Sequence, residues 1–208
     1  MSSERYIIRP NPVDLLTLSG VITSALAVAV TLKGHYYLAT GILFIAMLGD
    51  ALDGMLARRL GLERNFGRYL DGFMDVLIYL VAPSLILYLQ GFSGAWSACL
   101  LLMLACGCTR LAVFNDIGNI QENNGLAYLG MPVFWSNFIL AGYLLLGMLK
   151  VPAGLLHPLL AVTLIAFSHA MLRRKPFFKF SKLSHILVLT LGGALLFFSL
   201  HVHEVMSP

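Results

Sequence analysis

Residues 49–76 read GDALDGMLARRLGLERNFGRYLDGFMDV. In a chain of 208 residues, 59% hydrophobic and 12% charged, this stretch gathers Asp50, Asp53, Asp71 and Asp75. Apolar sequence runs into it from residue 36 and out of it to residue 90. Each apolar flank is long enough to cross a bilayer, which takes ~20 residues of helix. The stretch therefore predicts two antiparallel membrane helices, joined by a short basic connection, with four carboxylates at their facing ends.

The rest of the chain extends that reading. A soluble domain carries about 25% charged residues, so the low charge and a mean hydropathy of +0.83 exclude one. Apolar segments at 13–32, 36–57, 70–90, 94–115, 131–149, 152–172 and 184–203 predict an all-α, polytopic membrane helix bundle with seven spans. Pro10, Pro12, Pro152 and Pro176, with Gly34, Gly91 and Gly94, mark the boundaries as turn formers do. No short apolar core ends in a small-residue cleavage site, so the first apolar segment is expected to stay in the membrane. The length predicts one domain over 1–208. Cys99, Cys106 and Cys108 fall in one apolar run and read as small buried residues, not a disulfide framework.

Basic residues orient the bundle. With the N-terminus cytoplasmic, that side receives Arg5, Arg9, Arg58, Arg59, Arg64, Arg68, Arg110, Arg173, Arg174, Lys175, Lys179 and Lys182. The far side receives Lys33 and Lys150 alone. Such asymmetry is the positive-inside pattern, and it sets the carboxylates at the cytoplasmic edge. The pI near 9.1 then reflects topology and attraction to lipid headgroups. No nucleic-acid motif accompanies it. The tail HVHEVMSP, with His201 and His203, is expected outside and solvated.

On a helix, Asp50, Asp53, Gly54 and Ala57 share one face, and Asp71 and Asp75 share a face of the next. Four like charges beside hydrocarbon repel one another. Two divalent cations balance them, and an all-oxygen ligand set suits Mg²⁺, Mn²⁺ or Ca²⁺ rather than zinc. Two such ions form a clamp for phosphoryl displacement. Gly54 and Ala57 keep the helix face low beside the aspartates, and Arg58 can fork onto a phosphate. Gly67 lets the chain turn or a ligand approach. Asp14 and Asp116 read as caps or loop residues, and Arg59 and Arg64 as topology determinants.

The stretch resembles the signature of the CDP-alcohol phosphatidyltransferase family, D-x2-D-G-x2-A-R-x8-G-x3-D-x3-D. Asp50, Asp53, Gly54, Ala57, Arg58, Gly67, Asp71 and Asp75 match it at every spacing. The resemblance implies a six-helix family core, here with an extra C-terminal helix. It also implies a reaction in which an alcohol attacks a CDP-activated lipid, CMP leaves and a phospholipid forms. Carried over, Asp50, Asp53 and Asp71 hold two divalent cations, Mg²⁺ or Mn²⁺. Asp75 reaches the second ion and acts as general base. Gly54, Ala57, Arg58 and Gly67 bind the CDP-lipid. The resemblance implies CDP-diacylglycerol as donor, a homodimer, and a bacterial or archaeal cell membrane with the active site facing the cytoplasm.

Other segments bear on the acceptor. RLAVFN (110–115) and YLGMPVF (128–134) resemble the R-L-A-R-F-N and F-x-G-L-P-x-P segments of phosphatidylserine synthases. RPNPVDLLT (9–17) is similar to the family's N-terminal segment, with Asn11 and Thr17 in the matching places and assigned to the CDP-lipid. The basic run LRRKPFFKFSK (172–182) resembles that subfamily's cytoplasmic loop. By this likeness L-serine is the acceptor, and Arg110, Asn115 and Tyr128 bind it. Val113 departs from the pattern by replacing an arginine, and Phe134 by replacing a proline. The polar connection 116–127 is either a cover for the acceptor or an ordinary loop. Glycerol 3-phosphate, inositol, inositol phosphate and choline are the alternative acceptors. From other classes, a cation transporter would use its carboxylates near mid-membrane on broken helices, and a silent scaffold would have no need of an intact signature.

Overall fold

The computed structural model describes residues 7–122, 125–180 and 182–206. Arg5, named above, and residues 123–124 of the polar connection lie outside them. The helices are α1 (Pro12–Thr31), α2 (Tyr36–Leu60), α3 (Asn65–Asp75), α4 (Ala82–Leu89), α5 (Ser97–Ile117), α6 (Trp135–Met148), α7 (Ala153–Leu172) and α8 (Leu183–Met206). A π-helical turn, Val76–Val81, links α3 to α4 in one continuous span, and a 3₁₀ turn, Gly94–Trp96, leads into α5. Among the described residues, six helices are long and apolar enough to cross a membrane, and α6 is a shorter apolar helix. The fold is the expected all-α polytopic bundle.

Local sequence explains the helix ends. Asn11 caps α1: its Oδ1 accepts from the Asp14 amide at 2.8 Å, and Asp14 Oδ2 accepts from the Asn11 amide at 2.7 Å. This reciprocal capping box, with Pro12 in the first turn, starts the helix. Gly61 ends α2 in the left-handed region at φ 64°, where a side chain would be strained. Arg58 and Arg59 in that last turn oppose the helix dipole.

α6 is 14 residues long, against an expected span of 131–149. At ~1.5 Å per residue it measures about 21 Å, short of the ~30 Å hydrocarbon thickness. It still runs from one end of the bundle to the other. The Met131 amide, just ahead of it, donates to Ala170 O at the site end. Tyr143 donates to Gln90 O at the opposite end, at 3.3 Å. Asn137 and Leu140 are fully enclosed, so this helix need not match the lipid.

The third span is the most enclosed, with 56% of its apolar window buried. Ile78, Tyr79, Leu80, Ile86 and Leu87 form the centre with Leu43, Phe44, Met103, Leu140 and Leu164. α8 is the least enclosed, at 17%, and Val188 and Leu195 project toward lipid beside Leu101, Leu155 and Val162. It is seated on α2 by a reciprocal pair. A Cβ at Gly193 would lie 2.7 Å from Phe44, and one at Gly41 would overlap Phe198. Each phenylalanine occupies the space that a glycine leaves, the close approach that small residues permit between membrane helices.

Three features depart from expectation. The connection 116–127 is not an irregular loop: it holds β1 (Ile120–Glu122) and most of β2 (Gly125–Leu129). β2 pairs antiparallel with both β1 and β3 (Pro176–Phe178), with Tyr128 opposite Phe177. This sheet fastens the α5–α6 connection to the α7–α8 connection. α3 begins at Asn65 rather than residue 70, so Gly67 lies inside a helix and not at a chain turn. α8 continues to Met206, and His201 packs edge-on against His35 with ring centroids 5.0 Å apart. The end of the chain up to Met206 is thus helix, and His201 is half-buried rather than solvated.

Candidate active site

α2 and α3 turn their acidic faces toward each other. One carboxylate oxygen from each of Asp50, Asp53 and Asp71 lies within 4.8 Å of the other two. Asp75 follows one helical turn beyond Asp71. Asp53 and Asp75 are buried, with 3% and 8% exposure. All four line one cavity of about 610 Å³. Four carboxylates gathered beside hydrocarbon are mutually repulsive without a balancing charge. Asp53 Oδ2 is enclosed and has no hydrogen-bond partner among the described residues. An orphaned carboxylate oxygen within converging oxygen ligands fits a hard divalent cation.

The acidic wall is shaped by its neighbours. Gly54, Ala57, Arg58 and Gly67 line the cavity beside the aspartates. A Cβ added at Gly54 would meet Arg58 Nη1 at 3.6 Å, so the guanidinium folds back over the glycine. Tyr79, from the π turn, donates to Asp50 Oδ2 at 2.7 Å. Arg64 pairs with the buried Asp14 and donates to Arg9 O at 3.3 Å, tying the α2–α3 connection to the start of α1. Asp14 and Arg64 therefore form a structural clasp at the cavity rim, beyond the cap and topology roles read from sequence.

The opposite wall is cationic. Arg110 of α5 is 5% exposed, and its Nε and Nη2 have no partner among the described residues. Its guanidinium lies 5.0 Å from the Phe114 ring centroid and 5.4 Å from that of Tyr128. Lys179 Nζ stands 5.0 Å from the same Tyr128 ring and donates to Asn119 Oδ1 at 3.1 Å. Burial, then the nearby Arg58, holds the Lys179 ammonium below the usual lysine range. Burial pushes the Tyr128 hydroxyl well up, so it stays neutral. An arginine with free donors next to a lysine is suited to a carboxylate or phosphate.

Of the residues singled out from sequence, Thr17, Arg110 and Tyr128 join the eight signature residues around this one cavity. Asn11 and Asn115 do not line it. Asn11 is engaged as the α1 cap. Asn115 packs on Gly72, where a Cβ would come within 2.6 Å of its Nδ2. Val113 is 44% exposed and also lies away from the cavity. Sequence reasoning missed Tyr79, whose one signal was its place four residues after Asp75. It flagged Lys179 only as part of a basic run, because the sheet that brings it inward was not foreseen.

A family model described as CDP-alcohol phosphatidyltransferase matches residues 10–201. A CDP-diacylglycerol–serine O-phosphatidyltransferase of Bacillus subtilis is 33% identical over 124 residues, 57% of this chain and 67% of that protein. The enzyme of the same name from Methanocaldococcus jannaschii is 28% identical over 62% of this chain and 58% of its own length. An archaetidylserine synthase of Methanothermobacter thermautotrophicus is 29% identical over the same shares. The chain thus matches about two thirds of the first relative's length and less of the other two.

Proposed function

The chain belongs to the CDP-alcohol phosphatidyltransferase family, and on that premise we propose that it transfers a phosphatidyl group from CDP-diacylglycerol to L-serine, releasing CMP. One observation carries the reading. The signature carboxylates and the Arg110–Tyr128–Lys179 group line a single cavity. A diphosphate held on the acidic wall and an amino-acid carboxylate held on the cationic wall would meet between them. The relatives named for serine transfer support the same acceptor. Val113 does not weaken it, because a side chain outside the cavity subtracts no charge from the acceptor side.

Asp50, Asp53 and Asp71, with Asp75 at the second position, would hold two divalent cations, Mg²⁺ or Mn²⁺. Bound there, such ions neutralise the diphosphate and the charge on departing CMP. The chain's own groups do the rest. Arg58, beside the low Gly54–Ala57 face, pairs with phosphate oxygen. Arg110 and Lys179 hold the serine carboxylate and direct its hydroxyl toward the phosphorus. Asp75 accepts the hydroxyl proton as the new P–O bond forms, and the P–O bond to CMP breaks with its electron pair leaving on CMP. The lipid's acyl chains stay in the bilayer while its nucleotide reaches water. Such a substrate suits a site at the membrane edge, and the bias of basic residues supports the cytoplasmic side. A homodimer follows from the family resemblance, and light scattering in detergent tests it.

The deciding experiment is CMP release by purified protein in detergent, given CDP-diacylglycerol and Mg²⁺ or Mn²⁺. L-serine, glycerol 3-phosphate, inositol, inositol phosphate and choline are compared in parallel. Metal-dependent release with serine is the expected result. Release with another acceptor overturns serine but keeps the reaction class.

A further inference from the structure

The third span is not a uniform α-helix. Directly after Asp75 it widens into the π turn Val76–Val81 before resuming at Ala82. In an α-helix, residues four apart drift by ~40° around the axis, so a residue eight beyond Asp71 would swing off the acidic face. An i→i+5 turn advances less per residue and opposes that drift. Tyr79 is thereby carried beneath the carboxylates. It is 1% exposed, and its hydroxyl donates to Asp50 Oδ2 at 2.7 Å. The turn is held in place from α5, where a Cβ at Gly107 would lie 2.5 Å from Leu80.

Tyr79 is the polar member of an otherwise apolar turn, VLIYLV. A phenol needs a partner when buried, and this one has taken an oxygen of a signature carboxylate. With Oδ2 accepting from the phenol, the Asp50 carboxylate is restrained and its remaining lone pairs are left for a ligand. Partners of this kind orient metal-binding groups and tune their affinity.

We infer that Tyr79 is a positioning residue of the acidic site, delivered by the π turn, whose hydroxyl holds Asp50 in the orientation that takes a divalent cation. The inference rests on the metal reading above and goes beyond the family signature, which ends at Asp75. The competing account is a bond that merely satisfies a buried phenol.

Tyr79→Phe keeps the ring and removes the hydroxyl. Mn²⁺ binding to the purified full chain in detergent is followed by electron paramagnetic resonance, alongside melting of the metal-free protein. The expected result is Mn²⁺ affinity weakened by about tenfold or more, with turnover at saturating Mn²⁺ within about threefold of wild type. Tyr143→Phe, which removes the hydroxyl bound to Gln90 O at the far end, is the structural control. It is expected to bind Mn²⁺ as wild type does. Unchanged affinity in Tyr79→Phe overturns the inference and leaves the metal reading standing. An equal loss in Tyr143→Phe also overturns it, because the effect is then general loosening. A wild-type chain that binds neither Mn²⁺ nor Mg²⁺ removes the metal reading and this inference together.

Discussion

Asp50 and Asp75 share a cavity but are assigned different work. Asp50 stands among three converging carboxylates, whereas Asp75 lies a turn beyond them with Arg110 on the facing wall. Asp75→Asn is expected to lower turnover by about 10²–10⁴-fold, the usual contribution of a general base, with CDP-lipid binding and metal binding through Asp50, Asp53 and Asp71 largely retained. Stopped-time CMP assays and binding isotherms on one preparation separate the two. Asp50→Ala is expected to lose metal-dependent nucleotide binding, and titration calorimetry showing unchanged metal affinity would count against the ligand role. Lys179 gives a pH signature. Its pKa lies below the ordinary 10.5, and the charged form is the one below the pKa. The KM for serine should therefore begin to rise on the alkaline side earlier than an ordinary lysine allows, and Lys179→Met should remove that limb. The aspartates were legible in the sequence because their spacing alone puts them on helix faces. Tyr79 and Lys179 were not, since one depends on a π turn and the other on a sheet between distant connections.

Elements whose apolar runs were long and flanked by Pro or Gly were legible to within a few residues; α1 and α7 are examples. The sheet was hidden because β1 and β3 have three residues each and β3 is remote in sequence from its partner β2. The π turn was hidden because VLIYLV reads as plain helix. Short pieces like these are fixed by tertiary contacts rather than by periodicity. Gly130 shows how tightly. It sits at φ 74° at the end of β2, and a Cβ there would run into Met171 O. Its amide donates to Lys175 O at 2.9 Å. Gly130→Ala is expected to destabilise by about 1–3 kcal/mol, from backbone strain and overpacking together. Thermal melting in detergent would register it, and CMP release would fall because Tyr128 and Lys179 hang on the same sheet.

For the whole molecule, counting α6 with the six longer helices gives seven crossings, and an odd number would set the start of α1 and the end of α8 on opposite sides of the membrane. The short α6 is the element on which that parity turns, and its hydrogen bonds to Ala170 O and Gln90 O are the reason for counting it. Alkaline phosphatase fused after Met206 is expected to be active in a bacterial host, and a fluorescent protein fused there to be dark. The reverse pattern would mean that one crossing is missing. Basic residues supply this expected orientation without any fold, because charge bias survives errors of several residues at each boundary.

The seating of α8 on α2 has a mechanical corollary. Each helix contributes one peg and one socket: Phe44 into the space at Gly193, and Phe198 into the space at Gly41. A slide of one residue along either helix withdraws both pegs at once, so no half-engaged register exists. The last helix lends Ile186, Leu189 and Thr190 to the cavity wall. Those three side chains thus inherit a fixed height from a two-pin plug whose nearer pin, at Gly193, is about one turn from Thr190.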